Sequence, residues 1–91
     1  MIKSFKCKKT KELYERGHSQ YFQLLERQAL KKLFMLASAV DLKDLRIPPG
    51  NRLESLSGNR NNQYSIRIND QYRICFDWND GAENVEIIDY H

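Results

Sequence analysis

A chain of 91 residues and 10.8 kDa is one domain with one modest core, because chains rarely divide below about 100–150 residues. With 41% hydrophobic and 30% charged residues it is globular rather than disordered, and with two cysteines it is no disulfide scaffold. No apolar run approaches membrane length, and Met1–Lys9 has no apolar core of a signal peptide, so a cytoplasmic protein with reduced thiols is expected.

The elements follow in order. Ile2 to Lys6 alternates apolar and polar residues and predicts a short strand. Thr10 is placed to cap a short helix running to Arg16, which Gly17 ends. Ser19 is placed to cap a longer helix over about 20–39, where Phe22, Leu25, Ala29, Leu33, Leu36 and Val40 recur at helical spacing. Leu30, Phe34 and Ala37 widen that stripe, which reads as core packing. Ile47-Pro48-Pro49-Gly50 breaks the helical pattern, and Gly58 to Asn62 reads as an exposed turn.

Three strands are predicted at about 63–68, 72–78 and 84–89. Tyr64, Ile66 and Ile68 share a face, as do Tyr72, Ile74, Phe76 and Trp78. Matching the two faces sets Ile66 opposite Ile74 and leaves a three-residue loop, Asn69-Asp70-Gln71. The same register sets Arg67 opposite Arg73 on the other face, a like-charge pair that calls for an anion or acid between them. Asp80-Gly81 marks the next turn. Val85, Ile87 and Ile88 put apolar residues on both faces of the last strand, so its register stays open. The result is a single α+β domain over residues 1–91. Two N-terminal helices pack on one face of a small, mainly antiparallel sheet in the order β-α-α-β-β-β, with room for an extra short strand near 53–56.

Charge is uneven. The net of +3 combines an excess of five positive charges in residues 1–45, of three in 46–73, and of five negative charges in 74–91. The middle segment carries Arg46, Arg52, Arg60, Arg67 and Arg73 and no lysine. Arginine suits bidentate phosphate contacts, so this segment is a candidate polyanion site, unless it is a solvated face paired with the acidic tail. Metal chemistry has little support: His18 and His91 stand far apart, and Cys7 and Cys75 match no zinc spacing. The four glycines form no phosphate loop, and Cys75 reads as packing. Asp89-Tyr90-His91 remains. It is either a frayed tail or an acid–base group. Side-chain cleavage of RNA needs a base for the 2′-hydroxyl, an acid for the 5′-oxygen and cations for the phosphorane, and these residues with the arginines supply all three.

Three runs then point to a family: Pro48 to Arg60 (PPGNRLESLSGNR), Tyr64 to Phe76 (YSIRINDQYRICF) and the ending Asp89-Tyr90-His91. Together with the start Met1 to Phe5 they resemble the HigB-type toxins of type II toxin–antitoxin systems, within the RelE/ParE superfamily, over the whole chain. The resemblance implies a RelE-like fold, no cofactor, and a ribosome-dependent endoribonuclease that cuts mRNA. It implies a HigA-like helix-turn-helix antitoxin as partner, and operator DNA bound only through that complex. Residue by residue, Arg73 resembles the phosphate-stabilising arginine; Asp89, Tyr90 and His91 resemble the acid–base cluster; Arg60 resembles a substrate contact. Some members carry a lysine where this chain has Ser57, so one cation is missing. Arg67 is a further candidate for RNA contact. Lys8 and Lys9, grouped with Lys11, Lys31 and Lys32, suit non-specific contact with ribosomal RNA, or are a solvated helix face. The alternatives are a ParE-like topoisomerase inhibitor that cuts no RNA, and a transcriptional corepressor. The acid–base ending argues against the former; the lack of a helix-turn-helix pattern in residues 1–45 weakens the latter standing alone.

Overall fold

The computed structural model describes residues 1–56 and 62–90. Helix α1 spans Lys8–Arg16 and α2 spans Glu26–Ser38; the strands are β1 (Glu54–Ser55), β2 (Gln63–Arg67), β3 (Tyr72–Trp78) and β4 (Ala82–Asp89). The four strands form one antiparallel sheet in chain order, β1-β2-β3-β4. The architecture is α+β, helices first, as the pattern implies. β1 fills the place left for a short strand near 53–56.

Two departures concern the N-terminal third. Ile2–Lys6 is not a strand in its own right. It runs beside β4 through two isolated parallel bridges, Ile2 to Ala82 and Phe5 to Val85, and so covers that edge of the sheet. Thr10 does not cap α1. It lies inside the helix, wholly buried, and its hydroxyl accepts the Ile87 backbone N–H at 3.1 Å. The reason is tertiary, since that amide sits where β4 meets the helix and needs an acceptor away from water. Gly17 does end α1, at φ 71, and donates to the Leu13 carbonyl.

The longer helix begins at Glu26 rather than about 20, after a 3-10 turn at Gln23–Leu25. Glu26 explains the boundary: its carboxylate accepts the Ser19 N–H at 3.1 Å and faces His18 Nδ1 at 2.9 Å, tying back the segment that would otherwise extend the helix. Phe22, Leu25, Ala29, Leu33 and Leu36 are buried as their spacing implies, whereas Val40, beyond the end of α2, is 83% exposed. The segment from Asp41 to Asn51 forms two 3-10 turns, Leu42–Arg46 and Pro49–Asn51.

The β2–β3 register matches the expectation: Ile66 faces Ile74, and Arg67 faces Arg73. The Ile68 N–H donates to the Tyr72 carbonyl at 3.0 Å and closes the three-residue loop. In β4 the structure selects Val85 and Ile87 for the core and leaves Ile88 half-buried on the other face, opposite Arg73. An irregularity in the pairing around Cys75–Asp77 accompanies this choice. The core is Leu13, Leu33 and Leu36 from the helices against Ile66, Ile74, Phe76 and Val85 from the sheet, all at 0% exposure. The opposite face of the sheet carries Glu54, Ser65, Arg67 and Arg73, together with Cys75 and Ile88.

Candidate active site

Arg73 is the centre of that second face. Alternation along β3 sends it away from the core, yet it is only 7% exposed. Its guanidinium is held by the sheet around it. Nε donates to Ser65 Oγ at 2.9 Å; Nη2 donates to the Arg52 carbonyl at 2.6 Å and more weakly to the Ser65 carbonyl at 3.4 Å. Arg52 can offer its carbonyl there because the backbone turns into β1 with Arg52 at φ 45. The Glu54 carboxylate lies 3.9 Å from Nη2, and the Tyr90 ring centre lies 5.5 Å from the guanidinium carbon. An arginine whose fork is half spent on fixed acceptors keeps one orientation, so its remaining donors have a defined direction.

Arg67 stands across from Arg73, and each arginine has its own acid: Arg67 pairs with Asp70, and Arg73 with Glu54. The like-charge pair is thereby compensated within the protein. Lys32 of α2 adds a third cation near Arg67. Its ammonium is pushed below the usual lysine value by burial first and then by repulsion from Lys31 and Arg67. It donates to Asn51 Oδ1 at 2.5 Å, and wholly buried Asn51 in turn donates to the Leu45 carbonyl at 3.2 Å.

The chain end is not frayed through Tyr90. The Tyr90 N–H donates to the Gln71 carbonyl at 2.7 Å, one step past β4, while its side chain stays 45% exposed. Asp89 faces Tyr72 in the register, so the pleat sets it on the opposite face from Arg73; its Oδ2 accepts Gln71 Nε2 at 3.0 Å. Asp89 and Tyr90 therefore stand at the end of the sheet, one on each side. His91 and Arg60 lie outside the described residues, as does Ser57.

The structure thus brings together Arg73, Arg67 and Tyr90, with Asp89 at the rim. It does not bring Lys8 or Lys9 to them. Both are exposed on α1, in the helical layer on the far side of the sheet, and Lys9 Nζ sits 3.7 Å over the Tyr21 ring. Sequence reasoning missed Ser65, Glu54 and Gln71, and it grouped Lys32 with the lysines suited to ribosomal RNA rather than with Arg67. Ser65 had a signal, a small polar residue in a strand whose alternation sets it beside Arg73. The carbonyl of Arg52 and the reach of Lys32 had none, since both depend on how distant segments pack. Among the described residues no group of three His, Cys, Asp or Glu side chains could hold a metal ion.

Residues 3–91 match the model of a family described as the RelE-like toxin of type II toxin-antitoxin system HigB. The chain belongs to the HigB-like toxin family. It is 41% identical over 93 aligned positions to Toxin HigB-1 of Vibrio cholerae, covering all of this chain and 98% of that one. It is also 36% identical over 78 positions to an uncharacterized protein of Haemophilus influenzae, covering 86% of this chain and 77% of that one. This HigB-like chain is therefore a toxin of a type II toxin–antitoxin system, and such a toxin has an antitoxin partner. No helix among the described residues is long and apolar enough to cross a membrane.

Proposed function

We propose that this toxin is an mRNA endoribonuclease that works on the ribosome in the cytoplasm, as one domain over residues 1–91, by acid–base chemistry of its own side chains. One observation carries the reading: the guanidinium of Arg73, fixed by Ser65 and the Arg52 carbonyl and bordered by the ring of Tyr90 near the chain end. In the reaction a base takes the proton of the 2′-hydroxyl, whose oxygen attacks phosphorus. The phosphorane collapses to a 2′,3′-cyclic phosphate, and an acid protonates the departing 5′-oxygen. Arg73 stabilises the phosphorane charge. His91 is the proposed proton carrier, with Asp89 and Tyr90 as its partners in acid–base transfer and orientation. Arg67 and Arg60 contact the RNA backbone, and Lys8 and Lys9 contact ribosomal RNA on the far side.

A helix-turn-helix antitoxin of the HigA type neutralises the toxin, and operator DNA is reached only through their complex. The ribosome supplies the alignment of the mRNA, worth many kcal/mol of catalysis. The test measures cleavage of one mRNA by purified toxin with and without ribosomes. The expected result is efficient cleavage with ribosomes and poor cleavage without them. Efficient cutting of naked RNA would overturn the ribosome requirement. No cutting in either case would favour a non-nuclease, ParE-like activity.

A further inference from the structure

β1 is two residues long, and its two side chains point to opposite faces of the sheet. Glu54 reaches Arg73, whereas Ser55, paired with Tyr64, lines a groove of about 470 Å³ on the other face. The groove lies between the sheet and the Leu42–Arg46 turn. Tyr64 and Trp78 form its sheet wall; Lys43 and Arg46 stand on the turn. Both rings are half-buried and propped on Phe76, at centroid distances of 6.2 Å and 6.4 Å, so they present fixed faces. The two cations are exposed, and among the described residues neither forms an ion pair. Asp41 also lines the groove, and its carboxylate and that of Asp44 are engaged by the turn. Asp44 accepts the N–H groups of Val40 and Asp41 at 3.0 Å each, and Asp41 completes the capping box.

We propose that this groove is a nucleotide subsite for single-stranded RNA, occupied by a nucleotide of the strand that is cut at Arg73. The proposal rests on the nuclease reading above. A base stacks on Tyr64 and Trp78, and the adjoining phosphate meets Lys43 and Arg46. Aromatic faces beside exposed cations suit a nucleotide better than an apolar peptide, which gains nothing from the charges. Continuity supports the substrate strand itself: only the two-residue edge strand separates the groove from the acid at Arg73, so a strand leaving Arg73 over that edge descends onto Ser55 and Tyr64.

Trp78 is the one tryptophan in the chain, so its fluorescence reports on the groove alone. Purified toxin is titrated with an adenosine hexaribonucleotide, and in parallel with inorganic triphosphate. Saturable quenching by the RNA and none by triphosphate is expected. The double variant Lys43→Ala, Arg46→Ala should weaken the apparent affinity about tenfold, leave the melting temperature unchanged, and raise KM more than it lowers kcat in ribosome-dependent cleavage. Arg73→Ala should still be quenched. No quenching, or quenching that the double variant does not weaken, would overturn the subsite, and intact wild-type cleavage would then leave the nuclease reading standing. Quenching by triphosphate would overturn the stacking. Loss of antitoxin binding in the double variant with RNA quenching unchanged would assign the groove to that protein instead. RNA quenching with no cleavage under any condition would uphold an RNA groove and sink the nuclease.

Discussion

Arg73 does two things at once, and its variants should separate them. It satisfies Ser65 Oγ and the Arg52 carbonyl, and in the proposed reaction its remaining donors meet a phosphate. Arg73→Ala should lower cleavage about 10²–10³-fold, the usual cost of one electrostatic contact in a transition state. It should also cost about 1–3 kcal/mol of stability, because buried acceptors lose their partner. Cleavage assays and thermal unfolding on the same protein check both; undiminished cleavage would remove Arg73 from the chemistry. Ser65→Ala leaves the charge in place and removes only the Nε anchor. Its expected effect is a fall in kcat of about tenfold with KM nearly unchanged, since small misplacements of a positioned group are costly. An unchanged kcat would make Ser65 a packing residue. Deleting His91 should lower ribosome-dependent cleavage by about 10²–10⁴ with little change in melting temperature, since the strand ladder already closes at Tyr90. Unchanged cleavage would release His91 from its proposed role.

At the level of elements, the Leu42–Arg46 turn carries a pH dependence of known sign. The two backbone N–H bonds to Asp44 hold its carboxyl below the ordinary aspartate range. The native state therefore refuses a proton that the unfolded chain accepts. Its contribution to stability is complete above the ordinary aspartate value and is lost as the pH falls toward the lower native value. Asp44→Asn should remove this acid-side dependence: in the wild type amide protection at Val40 and Asp41 should decline as the pH falls below the ordinary aspartate value, whereas in the variant it should not change across that range. Protection that is equal in both proteins across that range would refute it. The turn forms one wall of the groove beside β1, so its acid loosening and the weakening of Trp78 quenching should coincide.

For the whole molecule, the division of labour follows from the two faces of one sheet. Burial of the helices consumes the Ile66–Ile74–Phe76 face, and the arginines and their acids stand on the other. The chain carries an excess of positive charge before Ile74 and of negative charge after it, with a net of +3. Association with the ribosome should accordingly weaken steeply with salt, because each phosphate contact releases counterions. Sedimentation with ribosomes from about 50 to 200 mM salt measures the slope. A flat dependence would mean that recognition does not run through phosphates.

By itself the sequence determined the α+β class, the helical stripe and the β2–β3 register. Each of these is a repeating local pattern: apolar residues at helical spacing on α2, and alternation with a three-residue loop between Ile68 and Tyr72. That register alone placed Arg73 opposite Arg67, and the motif resemblance points to Arg73 and to Asp89-Tyr90-His91. Only the tertiary structure decided what holds Arg73, because a backbone carbonyl at Arg52 leaves no trace in residue type. It also moved Thr10 from a cap to a buried acceptor, began α2 at Glu26, and set Asp89 and Arg73 on opposite faces. These outcomes depend on which distant amide, carboxylate or strand arrives alongside. Burial then makes an unpaired polar group costly enough to override a local preference worth a fraction of that amount.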